Sequence, residues 1–398
     1  MELLLSEDSY VSHVQVARDL AHRCARVAVD FTAQSGSGQS LQLQAIVREW
    51  KSGRVVGRGS IVADRIDSGK TTHVEVTLPV DDCRLWTPDT PYLYVLALTD
   101  GRFSYETRFG MRTFAVDPEF TNRALLNGVP CFIRGTNFAV HRFFEDEHCR
   151  HHPWEEAWVR RLFRTFRQMG MNGVRLTIGP APELWYDIAD EEGMMIFDEY
   201  AIWYAYQPDV GDVAKEAADP HRRWGIWPKH LTAGELEREF TAWMQERWNH
   251  PSVIVWDAQN ETWAPETGAA IEAVRHLDLS NRPWDNGWSP PQRATDIREA
   301  HTYFERLVPG TEMLAGKPPP SRPSSLADLA TAEKIPSTFY LPYQDAYHLP
   351  HDWHWTQPCV INEYSYLWLH RDGTPTKLTQ AYYDAALGPQ ATPDQRRA

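Results

Sequence analysis

Two rhythms of hydrophobic and polar positions divide the chain. Over residues 1–117 apolar and polar side chains alternate with period two, most clearly in Leu41-Gln42-Leu43-Gln44-Ala45-Ile46-Val47 and His73-Val74-Glu75-Val76-Thr77-Leu78. Residues 27–31 and 92–98 are more continuously apolar but rich in β-formers, and turn-formers such as Ser35-Gly36-Ser37-Gly38 and Ser68-Gly69 separate the runs. Successive side chains of a strand point to opposite faces, so this rhythm predicts short half-buried strands and, at this spacing, an immunoglobulin-like β-sandwich.

From about residue 118 strand and helix patterns alternate. Candidate strands are Phe132-Ile133-Arg134-Gly135, Gly173-Val174-Arg175-Leu176, Met195-Ile196-Phe197-Asp198 and Val253-Ile254-Val255-Trp256. Between them, residues 154–169 carry Trp158, Leu162, Phe166 and Met169 on one helical face, with the arginines of this segment largely off it as a solvated face. A helix from Glu183 to about Glu192 is stopped by Gly193, and Thr232-Ala233-Gly234-Glu235 has the spacing of a capping box ahead of Leu236, Phe240, Trp243 and Met244. This alternation predicts a parallel sheet covered by helices, and the length of residues 118–398 favours a (β/α)8 TIM barrel. Residues 309–338, with three successive prolines at 318–320, read as a long excursion. Residues 378–387 read as helix 7, and no apolar run remains for an eighth strand, so the barrel is expected to be truncated, with open edges that invite association.

The chemistry enters at two Asn-Glu pairs, Asn260-Glu261 and Asn362-Glu363. Each follows a short apolar run, Val253 to Trp256 or Cys359-Val360-Ile361, of the kind that forms a buried parallel strand. A glutamate just past such a strand stands where barrel enzymes keep their catalytic groups, and two of them suit glycoside hydrolysis.

Composition narrows the partners. A net charge of −14 argues against nucleic acid or an anionic membrane, both of which select basic patches. Seventeen tryptophans offer flat faces for sugar rings, although most must pack the core. Five cysteines without a CxxC spacing suggest neither a disulfide framework nor a zinc site. The run Leu3-Leu4-Leu5 is too short for a secretory signal core and no stretch approaches a membrane span, which leaves the compartment open.

Several motifs in one order carry a resemblance. They are Leu85-Trp86-Thr87-Pro88-Asp89-Thr90-Pro91-Tyr92-Leu93-Tyr94, Asn127-Gly128-Val129-Pro130, Arg134-Gly135-Thr136-Asn137, Asn172-Gly173-Val174-Arg175, residues 184–193, Asp198-Glu199, and His250-Pro251-Ser252 followed by Val253 to Trp256. Together they resemble glycoside hydrolase family 2, which contains β-galactosidases, β-glucuronidases and β-mannosidases. The resemblance implies an acid/base at Glu261 after strand 4 and a nucleophile at Glu363 ending strand 7. Both positions coincide with those chosen from strand context.

Three departures accompany the resemblance. Ile178 stands where galactosidases and glucuronidases have a histidine. Trp203 stands where galactosidases have a metal-binding glutamate, which argues against a magnesium site of that type. Asn362 replaces the usual small or hydroxyl residue before the nucleophile. The family also begins with a sugar-binding-type sandwich that these residues do not supply.

The expected roles follow. Asn260 is to hydrogen-bond the sugar 2-hydroxyl, the alternative being a loop asparagine that caps the next helix, and Arg175 is to hold Glu363 ionised and aimed, the alternative being a structural ion pair elsewhere at the barrel top. Asn137, Asp198 and Glu199 are either to line the pocket or to bind each other or backbone amides; His301 and Tyr303 fall where strand 6 belongs, with Tyr303 a partner for Glu363. Trp288 and Trp368 are candidate sugar platforms. No metal or cofactor is required. The expected partner is a glycoside or oligosaccharide, with a homo-oligomer among the possible assemblies. Two other readings stand beside this one: a catalytically incomplete carbohydrate-binding or scaffold fragment, and a metal-dependent hydrolase using His148, His151 and His152, whose polar loop otherwise reads as solvated.

Overall fold

The computed structural model describes residues 9–19, 24–34, 38–101, 103–120, 123–203, 232–262, 264–287, 289–302 and 357–364, and, between 369 and 392, residues 369–370, 372–377, 379–380, 383–384, 388–390 and 392. They fall into two compact units, one up to Arg298 (with Gln357 and Pro358), the other from Glu299 onward.

The first unit opens with an antiparallel sandwich. One sheet orders β1 (Ser9–Asp19), β2 (Cys24–Ala33) and β5 (Thr71–Pro79). The other orders β4 (Val55–Ile66), β3 (Gln39–Glu49), β6 (Tyr94–Thr99) and β7 (Ser104–Phe109). The period-two reading holds here. Leu43, Ala45 and Val47 of β3 are buried and join Val27, Val29, Phe31, Ile61 and Leu96 in one core. A small antiparallel sheet of β8 (Phe114–Val116), β9 (Ala124–Leu126) and β10 (Val129–Pro130) spans the expected boundary at 117/118.

A parallel sheet follows, its strands side by side in chain order: β11 (Gly135–Phe138), β12 (Gly173–Leu176), β13 (Met195–Glu199), β14 (Val253–Asp257) and β15 (Trp284–Asp285). Helices α1 (Glu156–Gln168), α2 (Glu183–Glu192), α3 (Ala233–Arg247) and α4 (Pro265–Val274) stand in the successive connections. Parallel neighbours, each reached through a helix, are the winding of the expected barrel. In the second unit β16 (Arg298–Thr302) and β17 (Cys359–Tyr364) pair as a two-stranded sheet.

Two expectations move. The first barrel strand begins at Gly135 instead of Phe132, whose side chain is 76% exposed. Gly135 is needed at the closest approach of β11 to β12, because a Cβ there would lie 2.1 Å from the Gly173 carbonyl oxygen. In α1 the deepest side chains are Val159 and Phe163, with Trp158, Leu162 and Phe166 packed beside them. Met169 is exposed because it caps the helix instead of belonging to its buried face. The capping box is present: the Thr232 hydroxyl accepts from the Glu235 N–H and the Glu235 carboxylate accepts from the Thr232 N–H, worth about 1 kcal/mol.

The sandwich is fastened to the N-terminal end of the parallel sheet. Arg112, buried, donates to the carbonyls of Pro251 (2.8 Å) and Val253. Arg282 donates to the Val253 and Trp248 carbonyls and stacks on Trp256. Trp86 donates to the Asp190 carbonyl, and Trp248 and Asn249 both donate to the Val14 carbonyl. Arg108 of β7 binds Asp187 and Glu191 of α2. Gly193, which caps α2 at φ +72°, leaves room for the Pro88 carbonyl, 2.1 Å from where its Cβ would be. His250 sits at this junction between Asp190 (2.7 Å) and Glu183 (2.9 Å).

Burial alone would push the His250 pKa down, but the two carboxylates overcome it and raise it to about 9. A histidine raised above its ordinary 6.5 contributes its full stabilisation below pH 6.5 and loses it as the pH climbs through 9. Urea titrations are expected to show unfolding free energy falling by on the order of 3 kcal/mol from pH 6.5 to 9. The fall should be absent from His250→Gln; parallel curves for the two proteins would remove the imidazolium from the junction.

Candidate active site

Strand parity sorts the polar residues of the parallel sheet. Leu176, Asp198, Trp256 and Trp284 are in register across β12 to β15. The three apolar ones enter the core shared with the helices. Asp198 follows them: it is fully buried, and its two carboxylate oxygens accept from the Tyr186 hydroxyl of α2 (2.6 Å) and the Trp243 indole of α3 (2.8 Å). Burial pushes its pKa above the usual carboxylate range despite those donors. Asp198 thus clamps its strand to two helices. Its neighbour Glu199 has the opposite parity and lies on the other face with Arg175, Asp257 and Asp285.

Arg175 ties that face together. Its guanidinium meets Glu199 Oε2 at 2.7 Å, Asp257 Oδ2 at 2.8 Å and Asn260 Oδ1 at 3.0 Å. All four residues are buried, with Glu199 and Asp257 at 0% exposure, so each carboxylate's desolvation is offset by the charged fork. Glu199 Oε1 also accepts from the backbone N–H of Ile178, which is held at φ +59°. A left-handed β-branched residue is strained, and the bond to a buried carboxylate is what holds it there. Asn137, in register with Arg175 on the adjoining strand, completes the row.

Glu261 lies four residues beyond β14. The turn carrying it is built from below by Gln259, whose amide donates to the carbonyl and side-chain oxygens of Asn286 (3.0 Å each) while its oxygen accepts from Ala264 N–H. Asn260 is bound from the side: its N–H donates to the Ile202 carbonyl at 2.7 Å, its carbonyl accepts from the Thr262 hydroxyl, and it forms an isolated parallel bridge with Trp203. Glu261 itself is 7% exposed and left-handed at φ +44°, a conformation that glutamate adopts only when its surroundings impose it. Its Oε2 accepts from the Trp203 indole N–H at 3.1 Å.

Glu363 lies on β17, half-buried, beside Asn362, which is buried and donates its amide N–H to Glu299 on β16. His301 is on β16 by its backbone. Trp288, Tyr303 and Trp368 lie outside the described residues. In the polar loop after β11, His152 stacks on Trp158 and pairs with Glu155, while His148 and His151 are exposed. Asp257, Gln259 and Glu299 escaped the sequence reading. Asp257 had a signal in the polar residue ending the run Val253-Ile254-Val255-Trp256.

The family model for glycosyl hydrolases family 2, TIM barrel domain, matches residues 120–287, and that for glycosyl hydrolases family 2 matches residues 9–112. The chain is 27% identical over 234 residues to a putative β-glucuronidase of Formosa agariphila, covering 56% of this chain and 20% of that protein. It is 25% identical over 298 residues to a β-galactosidase of Pectobacterium atrosepticum, covering 71% and 26%. The chain thus spans about a fifth to a quarter of the length of these curated relatives. Among solved structures, the β-galacturonidase of Eisenbergiella tayi bound to galacturonate matches with a TM-score of 0.61 at 16% identity, covering 96% of this chain and 62% of that one. The β-glucuronidase of Ruminococcus gnavus in complex with D-glucuronic acid matches at 0.57 and 18%, covering 96% and 58%. At such identities the likeness is one of fold.

Replacing Arg175 by Met leaves Glu199 and Asp257 as buried charges without their shared cation, and should lower stability by roughly 3–5 kcal/mol. Lys at this position keeps the charge but loses the fork, so it should recover only part. Chemical denaturation of the three proteins checks both; a Met variant as stable as the parent would show that other groups carry the cluster.

Proposed function

Because the chain belongs to glycosyl hydrolase family 2, we propose that it cleaves terminal β-linked glycosides with retention, through a covalent glycosyl-enzyme. The observation that carries the reading is Glu261: a nearly buried carboxylate, forced into a left-handed turn past the fourth parallel strand and oriented by a neighbouring side chain. Strain kept at one ionisable residue by three surrounding segments is characteristic of a functional group.

In this reading Glu363 attacks the anomeric carbon while Glu261 gives its proton to the departing glycosidic oxygen. Water then enters, loses a proton to Glu261 and displaces Glu363, so that two inversions retain the configuration. Asn260 supports the transition state. Its Oδ1 is held by Arg175, a donor only, which leaves the amide NH2 to donate to the sugar 2-hydroxyl as positive charge develops on the ring. Arg175 supports the reading through Asn260, which shares its guanidinium with Glu199 and Asp257. The relatives named as β-glucuronidase and β-galactosidase support a hexosyl or hexuronosyl glycoside as the substrate.

Incubation with 2-deoxy-2-fluoro glycosyl fluorides of the galacto, gluco, manno and glucurono series should add one glycosyl mass to the chain, on the peptide holding Glu363. Glu363→Gln should lose the label and several orders of magnitude in turnover while remaining folded. Sugar binding without labelling by any of the four would instead indicate a carbohydrate-binding module.

Glu261→Ala should retain the first step for a dinitrophenyl glycoside, which needs little proton donation, and stall at the second. Azide requires no base and should restore turnover, releasing a β-glycosyl azide. An α-azide would mean that the two glutamates have exchanged roles.

A further inference from the structure

We infer that Trp203 is a positioning residue that fixes which oxygen of Glu261 handles the proton, an inference that rests on Glu261 as the acid/base. The position is the one where galactosidases place a metal-binding glutamate, and here an indole N–H points at the catalytic carboxylate in its stead. Trp203 Nε1 lies 3.1 Å from Glu261 Oε2. The backbone beneath this contact is tied down on both sides. Tyr200 N–H donates to the Asp257 carbonyl (2.8 Å), Ile202 N–H to the Tyr200 carbonyl (2.7 Å), and Asn260 N–H to the Ile202 carbonyl (2.7 Å). Ile202 is fully buried, and the Tyr200 ring packs on Phe240 and Trp243 of α3. The indole is thus presented by a short extension of β13 pinned to the turn that carries Glu261.

The chemistry of the donor decides the rest. An indole nitrogen donates a hydrogen bond and never accepts one. Oε2 facing it is the acceptor whether Glu261 is ionised or not, and because the carbonyl oxygen of a carboxylic acid accepts better than its hydroxyl, the indole favours the tautomer with the proton on Oε1. The transferable proton therefore resides on Oε1. The same oxygen gives that proton to the leaving group and later takes one from water. The charged groups on the adjoining strand ends, Arg175, Glu199 and Asp257, are bound to one another, and Asp285 ends β15. The indole is a neutral donor beside them: it aims the carboxylate without adding a second cation.

The test uses the whole chain labelled with 15N at tryptophan. The Trp203 indole resonance, identified by its loss in Trp203→Phe, should move with pH along a single titration curve. In Glu261→Gln, which keeps an acceptor but cannot titrate, the resonance should remain and the curve should vanish. In the glycosidase assay Trp203→Phe should raise the alkaline limb of kcat/KM by about one pH unit. It should also slow substrates with poor leaving groups by roughly tenfold more than dinitrophenyl glycosides, since only the former need an aimed acid. An indole resonance that ignores pH, or that titrates unchanged in Glu261→Gln, overturns the inference. So does a Trp203→Phe enzyme with the parent's pH profile and leaving-group dependence. If the parent protein turns over no glycoside, the acid/base reading of Glu261 fails, and the resonance alone then decides whether the indole fixes its proton.

Discussion

Everything at the C-terminal ends of the parallel strands depends on one buried cation. Arg175 enters from β12 and reaches β13 through Glu199, β14 through Asp257 and the following turn through Asn260. A guanidinium can do this because its donors fan out in a plane and it stays charged when desolvated. The arrangement is reciprocal. Glu199 and Asp257 could not remain ionised at zero exposure without Arg175, and Arg175 could not be buried without them. Glu199 in turn holds the strained amide of Ile178, so the fixation spreads into the loop after β12. Fixing Asn260 then fixes the backbone of the next residue, Glu261.

The fold was largely legible in the sequence, because period-two and helical patterns record which face of each element is buried. The strands from Gly173, Met195 and Val253 were found on their apolar runs, and the helix after Thr232 on its capping box. The first barrel strand was misplaced for a physical reason. Gly135-Thr136-Asn137-Phe138 is half polar and its first residue has no side chain, whereas the apolar Phe132 before it faces solvent. In the candidate site, the place of Glu261 just past a strand was legible, but the faces of the polar pair Asp198-Glu199 were not. Both are carboxylates at one strand end, and only the register with Trp256 and Trp284 assigns Asp198 to the helices. Trp203 was noted as a substitution at a metal-ligand position; its hydrogen bond to Glu261 depends on a backbone bridge that sequence spacing cannot express.

The left-handed residues Ile178 and Glu261 belong to one economy of backbone strain. Each sits just past a parallel strand, and each has a polar group engaged by a buried neighbour: the Ile178 N–H by Glu199, the Glu261 carboxylate by Trp203. Loops that follow strands are free to take unusual conformations, and here side-chain partners select one of them.

The strand β14 also links two unlike ends of the parallel sheet. Its N-terminal neighbours, His250, Pro251 and Ser252, meet the sandwich, and its first carbonyl is shared by Arg112 and Arg282. Its far end, five residues on, bears Asp257 and leads to Glu261. A strand of that length is a rod of about 17 Å, stiff enough that a shift at the domain junction would be carried to the carboxylate. Residues remote from Glu261 therefore help to set where its carboxylate stands.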